Sequence, residues 1–288
     1  MPRMTTSDDV KIYYEEVGSG VPIVFSHEFG DNYETWEPQL DYFGRRYRCV
    51  TYAARGFPPS DIPKDMEKYT QARASADIGE LMDHLGVDQA HLVGVSMGSY
   101  AVLNFALVNP SRARSLVVGS GGHGSDLENR VVVLEGIEAR AAAFDEDGAE
   151  KTAMSLAEDT VRLPFKIKDP RGWETFRARL AKHSAEGCAR TLRGVFTDRP
   201  SVYLQKKAFE AFDVPALLMF GDIDTPAIQP TLFMHRHMPR AGLLVFPWSG
   251  HNLNIEEPEA FNRALKDFFH AVEHDRWGYD RSSMRQDG

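Results

Sequence analysis

Residues 90–98 read Ala-His-Leu-Val-Gly-Val-Ser-Met-Gly, an apolar run that ends in Gly94-Val95-Ser96-Met97-Gly98. A Gly-x-Ser-x-Gly motif needs a strand that turns sharply into a helix. The turn strains the central residue and projects its side chain from the sheet, so the neighbouring positions must be small. The helix is available: residues 99–109 carry Leu103, Phe105, Leu107 and Val108 among good helix formers and stop before Pro110. This context reads Ser96 as a nucleophile. The competing reading is a tight structural turn.

The rest of the chain repeats the strand–helix rhythm. Residues 10–17 and 21–26 read as an antiparallel pair joined at Gly18-Ser19-Gly20. Runs at 49–53, 90–95, 115–120, 216–221 and 243–246 are short, apolar and bounded by turn residues, as buried parallel strands are. Helical patterns at 35–43, 71–85, 96–109, 229–238 and 258–273 lie between them. This alternation predicts an α/β fold, a mostly parallel twisted sheet with helices on both faces. From about residue 121 to 212 no strand is evident, only helical runs near 127–144, 151–158, 172–183 and 184–196. The expectation is a core of residues 1–120 and 213–288 with a helical insertion at 121–212. Open α/β sheets bind ligands at the carboxyl ends of their strands, so such an insertion would act as a cap or lid. The tail past Trp277 is polar and expected to be mobile.

Composition narrows the function classes. A hydrophobic content of 42% suffices for a buried core, and a net charge of −9 argues against a nucleic-acid partner. Two cysteines, Cys49 and Cys188, are too few for a disulfide framework, and Cys49 reads as a buried thiol. No run reaches the length of a membrane span, and residues 1–10 lack a signal peptide's apolar segment. The expectation is a cytoplasmic protein acting on a small molecule, without nucleic-acid or membrane partners. The oligomeric state stays open, a homodimer included. No P-loop, dinucleotide fingerprint or metal-ligand cluster is evident, so no cofactor and no metal is implied.

A serine hydroxyl needs a base, and the base an orienting acid, in the chain order Ser, Asp or Glu, His. His251, in Ser249-Gly250-His251-Asn252, follows the last strand and is the candidate base. His123 follows the strand ending at residue 120, near the pocket, and is not assigned a catalytic role. His84, His91, His183, His235, His237, His270 and His274 fall in helices or strands and read as packing or surface residues. The strand at 216–220 ends in Gly221-Asp222-Ile223-Asp224. Either carboxylate could serve; Asp224 lies further into the loop and is preferred. Backbone donors must hold the tetrahedral oxyanion. Met97 N–H, at a helix start, is one, and Phe29 N–H is the candidate for the other. Phe29 lies in the oxyanion loop His27-Glu28-Phe29-Gly30, which His27 is expected to brace.

Five motifs in this order, His27-Glu28-Phe29-Gly30, Arg55-Gly56, Gly94-Val95-Ser96-Met97-Gly98, Gly221-Asp222-Ile223-Asp224 and Ser249-Gly250-His251, resemble the α/β-hydrolase superfamily over residues 10–272. The resemblance implies a nucleophile at Ser96, acid at Asp224, base at His251 and oxyanion donors at Phe29 and Met97. Phrases such as Trp36-Glu37-Pro38-Gln39-Leu40 and Asn254-Ile255-Glu256-Glu257-Pro258 are similar to the 3-oxoadipate enol-lactonases and the meta-cleavage-product C–C hydrolases. Three departures stand out. Glu28 replaces a common glycine and could face solvent, repel anionic substrates or join a proton relay. Pro58 and Pro59 interrupt the usual Arg-Gly-x-Gly-x-Ser segment. Asn252 stands where C–C hydrolases often carry tryptophan. The implied activity is a serine hydrolase acting on a carboxylic ester or lactone. The alternatives are C–C hydrolysis of a vinylogous diketone and a ligand receptor with little turnover. Phe144, Leu163, Phe165, Trp173, Phe176 and Phe196 are candidates for an apolar wall around a medium-sized substrate.

Overall fold

The short apolar runs pair edge to edge. The computed structural model describes residues 2–278, and these contain one eight-stranded sheet. Its strands are β1 (Arg3–Thr5), β2 (Lys11–Val17), β3 (Val21–Ser26), β4 (Tyr47–Tyr52), β5 (Ala90–Val95), β6 (Ala113–Gly119), β7 (Ala216–Gly221) and β8 (Ala241–Phe246). The order is β1-β2-β4-β3-β5-β6-β7-β8. β1–β2 and β2–β4 are antiparallel and every other pairing is parallel. Every residue of β5 and β7 is buried, as central strands covered on both faces require.

The expected hairpin between residues 10–17 and 21–26 does not form. β4 lies between β2 and β3, antiparallel to the first and parallel to the second. Gly18 and Gly20, at φ 82° and 111°, carry the link across the start of β4. A Cβ at Gly18 would lie 2.2 Å from the Gly44 carbonyl oxygen and 2.3 Å from that of Tyr47. The glycines thus serve a close backbone crossing rather than a two-strand turn. Both edges of β3 are taken, by β4 over Val21–Ser26 and by β5 over Ile23–Ser26, which leaves none for a hairpin with β2.

The helices are α1 (Glu37–Phe43), α2 (Gln71–His84), α3 (Met97–Val108), α4 (Arg130–Ala157), α5 (Leu163–Lys168), α6 (Pro170–Leu180), α7 (Ala185–Thr191), α8 (Lys206–Glu210), α9 (Thr225–His237), α10 (Leu253–Glu256) and α11 (Pro258–Glu273). One sheet face packs on Leu40 and Phe43 of α1 and on Phe261, Leu265, Phe268 and Phe269 of α11. The other packs on Ile78, Leu81 and Met82 of α2, on α3 and on Met234 of α9. This is the α/β architecture with both faces covered that the strand–helix alternation predicts.

Between β6 and β7 the described residues form no strand. α4 is broken at Gly148 (φ 78°), which separates the helical patterns read at 127–144 and 151–158. Phe144, Phe165, Trp173 and Phe176 are buried in a cluster of their own, which also takes in Phe29, Phe57 and Met97 from the sheet's loops. Leu163 and Phe196 are only partly buried. The proline-bearing segment after β4 is held from both ends. Buried Arg55 donates to Asp77 at 2.6 and 2.8 Å and to Asp8 at 2.8 and 3.1 Å, and Ser60 Oγ donates to the Ala53 carbonyl at 2.6 Å. Both cysteines are buried, and burial pushes the Cys49 thiol up to about 12. No described helix is long and apolar enough to cross a membrane. Of the polar tail, residues 279–288 lie outside the described residues.

Candidate active site

Ser96 joins β5 to α3 with φ 53° and ψ −113°, a conformation that costs a non-glycine residue ~1–3 kcal/mol. The flanking glycines explain how the turn closes. A Cβ at Gly98 would lie 2.0 Å from the Ser26 carbonyl oxygen, and one at Gly94 would lie 2.4 Å from the Gly98 carbonyl. Ser96 N–H donates to the Gly119 carbonyl at 2.8 Å, which ties the elbow to β6.

The loops after β7 and β8 bring an acid to a base. Asp224 is fully buried, and its Oδ2 lies 2.8 Å from His251 Nδ1. Its Oδ1 lies 2.8 Å from Nε2 of His123, which follows β6. Burial alone would raise the Asp224 carboxyl, but the two imidazoles hold it well below the usual carboxylate range. An ionised Asp224 accepts from both rings, so His251 carries its proton on Nδ1 and presents Nε2 as an acceptor. Desolvation lowers the His123 imidazole from its ordinary value despite the adjacent carboxylate. The three side chains offer one potential metal-ligand atom each within 4.8 Å of one another, and the 2.8 Å spacings are those of hydrogen bonds. Asp222 instead is exposed and accepts from Ser249 N–H at 3.2 Å. Among the described residues no hydrogen bond joins Ser96 to His251. His251 Nε2 faces Glu28 Oε2 at 3.6 Å. Catalytic contacts often tighten only when substrate binds.

The loop after β3 supplies the remaining parts. His27 Nε2 accepts from Ala54 N–H at 3.0 Å, so Nδ1 is the protonated nitrogen and donates to the Glu28 carbonyl at 2.6 Å. Burial keeps this imidazole below its ordinary value, and the ring braces the loop in the neutral form. Among the described residues the N–H groups of Phe29 and Met97 donate to no other protein group, and Met97 begins α3. The Phe29 ring meets Phe144 and Phe196 of the helical segment at centroid distances of 5.9 and 5.3 Å.

A family model described as the alpha/beta hydrolase fold matches residues 21–258. The chain belongs to the α/β-hydrolase family. Among curated proteins, it is 27% identical to 3-oxoadipate enol-lactonase 2 of Acinetobacter baylyi, over 91% of this chain and 94% of that one. It is 29% identical to the 2-hydroxy-6-oxo-6-phenylhexa-2,4-dienoate hydrolase of Burkholderia cepacia, over 90% and 91%. Among solved structures, a thermophilic esterase from Thermogutta terrifontis superposes with a TM-score of 0.81 at 23% identity, covering 94% of this chain and 98% of that one.

In this α/β-hydrolase, two of the three departures noted in the sequence, Glu28 and Asn252, meet in one place. Glu28 does not face solvent: it is 2% exposed. Its Oε2 accepts from Arg162 Nη2 at 2.7 Å and its Oε1 accepts a short hydrogen bond from Asn252 Nδ2. Gly30 leaves room for the pair, because a Cβ there would sit 2.8 Å from Arg162 Nη2. The helical segment also grips the loop that carries His251, where the Val161 carbonyl accepts from His251 N–H at 2.8 Å. Sequence reasoning missed Arg162 altogether and assigned His123 no part. The Gly121-Gly122 pair before His123, directly after a strand, was the available signal; Arg162 lies among helical charges and carried none.

Proposed function

We propose that the protein is a serine hydrolase that cleaves a carboxylic ester or lactone through an acyl-enzyme on Ser96. The observation that carries this reading is the 2.8 Å pair of Asp224 and His251 at the strand ends that also bear the strained Ser96. His251 Nε2 takes the Ser96 proton as Oγ bonds to the substrate carbonyl carbon. The oxyanion accepts from the N–H groups of Phe29 and Met97. As it collapses, the bond to the leaving oxygen breaks and His251 returns the proton to that oxygen. In a lactone the new alcohol stays attached to the acyl chain. Water then attacks the acyl carbon, giving its proton to His251, and Ser96 leaves with that proton as the acid is released. Asp224 stays ionised and holds the imidazolium. Residues 121–212 serve as the cap, with Phe144 and Phe196 beside Phe29 on the acyl side.

The likeness to an enol-lactonase supports the ester or lactone bond. The similar dienoate hydrolase favours C–C cleavage as the second reading. A fluorophosphonate probe followed by peptide mass spectrometry tests the nucleophile: labelling at Ser96 is expected. Absence of labelling sinks the hydrolase mechanism and favours a ligand-binding relative. Parallel assays with aryl esters, enol lactones and dienoates separate the bonds, with esters or lactones turned over fastest.

A further inference from the structure

Glu28 places a carboxylate at the point where the substrate must react. His251 Nε2 has to come within about 3 Å of Ser96 Oγ and then of the leaving oxygen. Glu28 Oε2 is 3.6 Å from that same nitrogen and is sealed from solvent. Both of its oxygens are engaged by donors, Arg162 Nη2 and Asn252 Nδ2, so the side chain is held in place as an ion-paired carboxylate. The guanidinium that pairs with it is itself buried. Arg162 stands between Glu28 at 2.7 Å and Asp159 at 3.7 Å, and its side chain is 6% exposed. A substrate carboxylate would therefore meet a fixed like charge, with the neighbouring guanidinium already paired to Glu28 and its remaining Nε donor buried. An uncharged acyl group meets no such opposition.

We infer that this site selects uncharged carbonyl substrates and turns away carboxylate-bearing ones, with Glu28 as the selecting residue. The inference rests on the hydrolase reading of the same site.

The test compares 4-nitrophenyl butyrate with 4-nitrophenyl hemiglutarate, which share a leaving group and differ by a terminal carboxylate. In the wild-type enzyme kcat/KM for the butyrate ester should exceed that for the hemiglutarate by about tenfold, what is left of the ~100-fold opposition of a lone like charge ~5 Å away in an effective dielectric near 20 once the paired guanidinium offsets part of it. Glu28→Gln should shrink the ratio at least about tenfold, chiefly through a lower KM for the hemiglutarate. The double variant Glu28→Gln/Arg162→Met leaves no unpaired guanidinium and should behave alike, which covers a single variant that fails to fold. A wild-type ratio near one, a preference for the hemiglutarate, or a ratio unchanged by both variants overturns the inference. Binding of the same two esters to Ser96→Ala, followed by ligand NMR, gives the answer without turnover: the butyrate ester should bind tighter, and equal binding, or none by either ester, overturns the inference. Failure of the hydrolase reading would show separately, as wild-type protein whose Ser96 resists the fluorophosphonate.

Discussion

His251 and His91 are each held by a carboxylate with a serine nearby, and only the first stands where we propose the chemistry. His251 pairs with Asp224 at the carboxyl ends of the strands, beside the strained elbow of Ser96. His91, on β5, contacts Ser115 Oγ at 2.7 Å and Glu273 Oε1 at 3.2 Å, and its ring stacks on Phe269 at 4.2 Å. By hydrogen bonds alone the His91 set is the more complete. Yet His91 and Ser115 are fully buried, and Ser115 lies within a regular strand. Among the described residues no α-helix begins at Ser115, which lies in the third position of β6. Residue types and contact distances therefore do not make a reactive site. Backbone strain, unspent N–H donors and placement at the strand ends do.

The sharpest way to break this comparison is to remove each hydroxyl. Ser96→Ala should lower kcat on an activated ester by at least about a thousandfold, because the members of such a set act as a unit. Ser115→Ala should leave kcat within about threefold. Residual activity of more than a few per cent in Ser96→Ala would place the chemistry elsewhere. Asp224→Asn should cost about 10³- to 10⁴-fold in kcat by offering His251 the wrong hydrogen-bonding partner, with the thermal midpoint as a check on folding.

Acid sharpens the contrast next. Burial lowers the His91 imidazole and holds His183 at about 4 against its ordinary 6.5. A depressed folded value means the unfolded chain binds protons more readily. Stability is thus full above about pH 6.5 and is lost as pH falls towards 4, by about 3 kcal/mol for His183 alone. Urea titrations across that range should show the loss, and His183→Phe should flatten it; an unchanged slope would contradict the neutral buried ring. The smallest effects separate the two regions once more. His123→Phe removes one of two hydrogen bonds to the Asp224 carboxylate and should lower kcat about tenfold, roughly 1.4 kcal/mol, with little change in KM. His91→Gln should spare kcat and lower unfolding free energy by about 1–3 kcal/mol. A fall in kcat for His91→Gln would erase the distinction.

Much of the fold was legible because its periodicity is local. β5, β7 and α11 begin and end at the residues their apolar patterns mark, and the elbow announces itself through Gly94 and Gly98. The partner of β2 was not legible. A glycine link reads as a hairpin unless the crossing of β4 is known, and that crossing belongs to the assembled sheet. In the site, Asp224 and His251 follow strand ends, so spacing located them. The fate of Glu28 depended on Arg162, 134 positions away on the helical segment, and no spacing rule links the two. The aromatics read as a pocket wall illustrate the same limit: Phe144, Phe165, Trp173 and Phe176 are buried in one cluster with Phe29 and Phe57, and helical spacing cannot tell an interior from a lining.

The bond from His251 N–H to the Val161 carbonyl has a mechanical consequence. The turn that opens the helical segment's second half and the loop that carries the imidazole are stitched backbone to backbone, with Gly250 bare enough for the two strands of chain to touch. If residues 121–212 act as the proposed cap, lifting that turn would pull on the backbone that carries the imidazole. On the proposed mechanism, entry past a raised turn and reaction would alternate, because the proton acceptor would be back in place only once residues 121–212 had closed again.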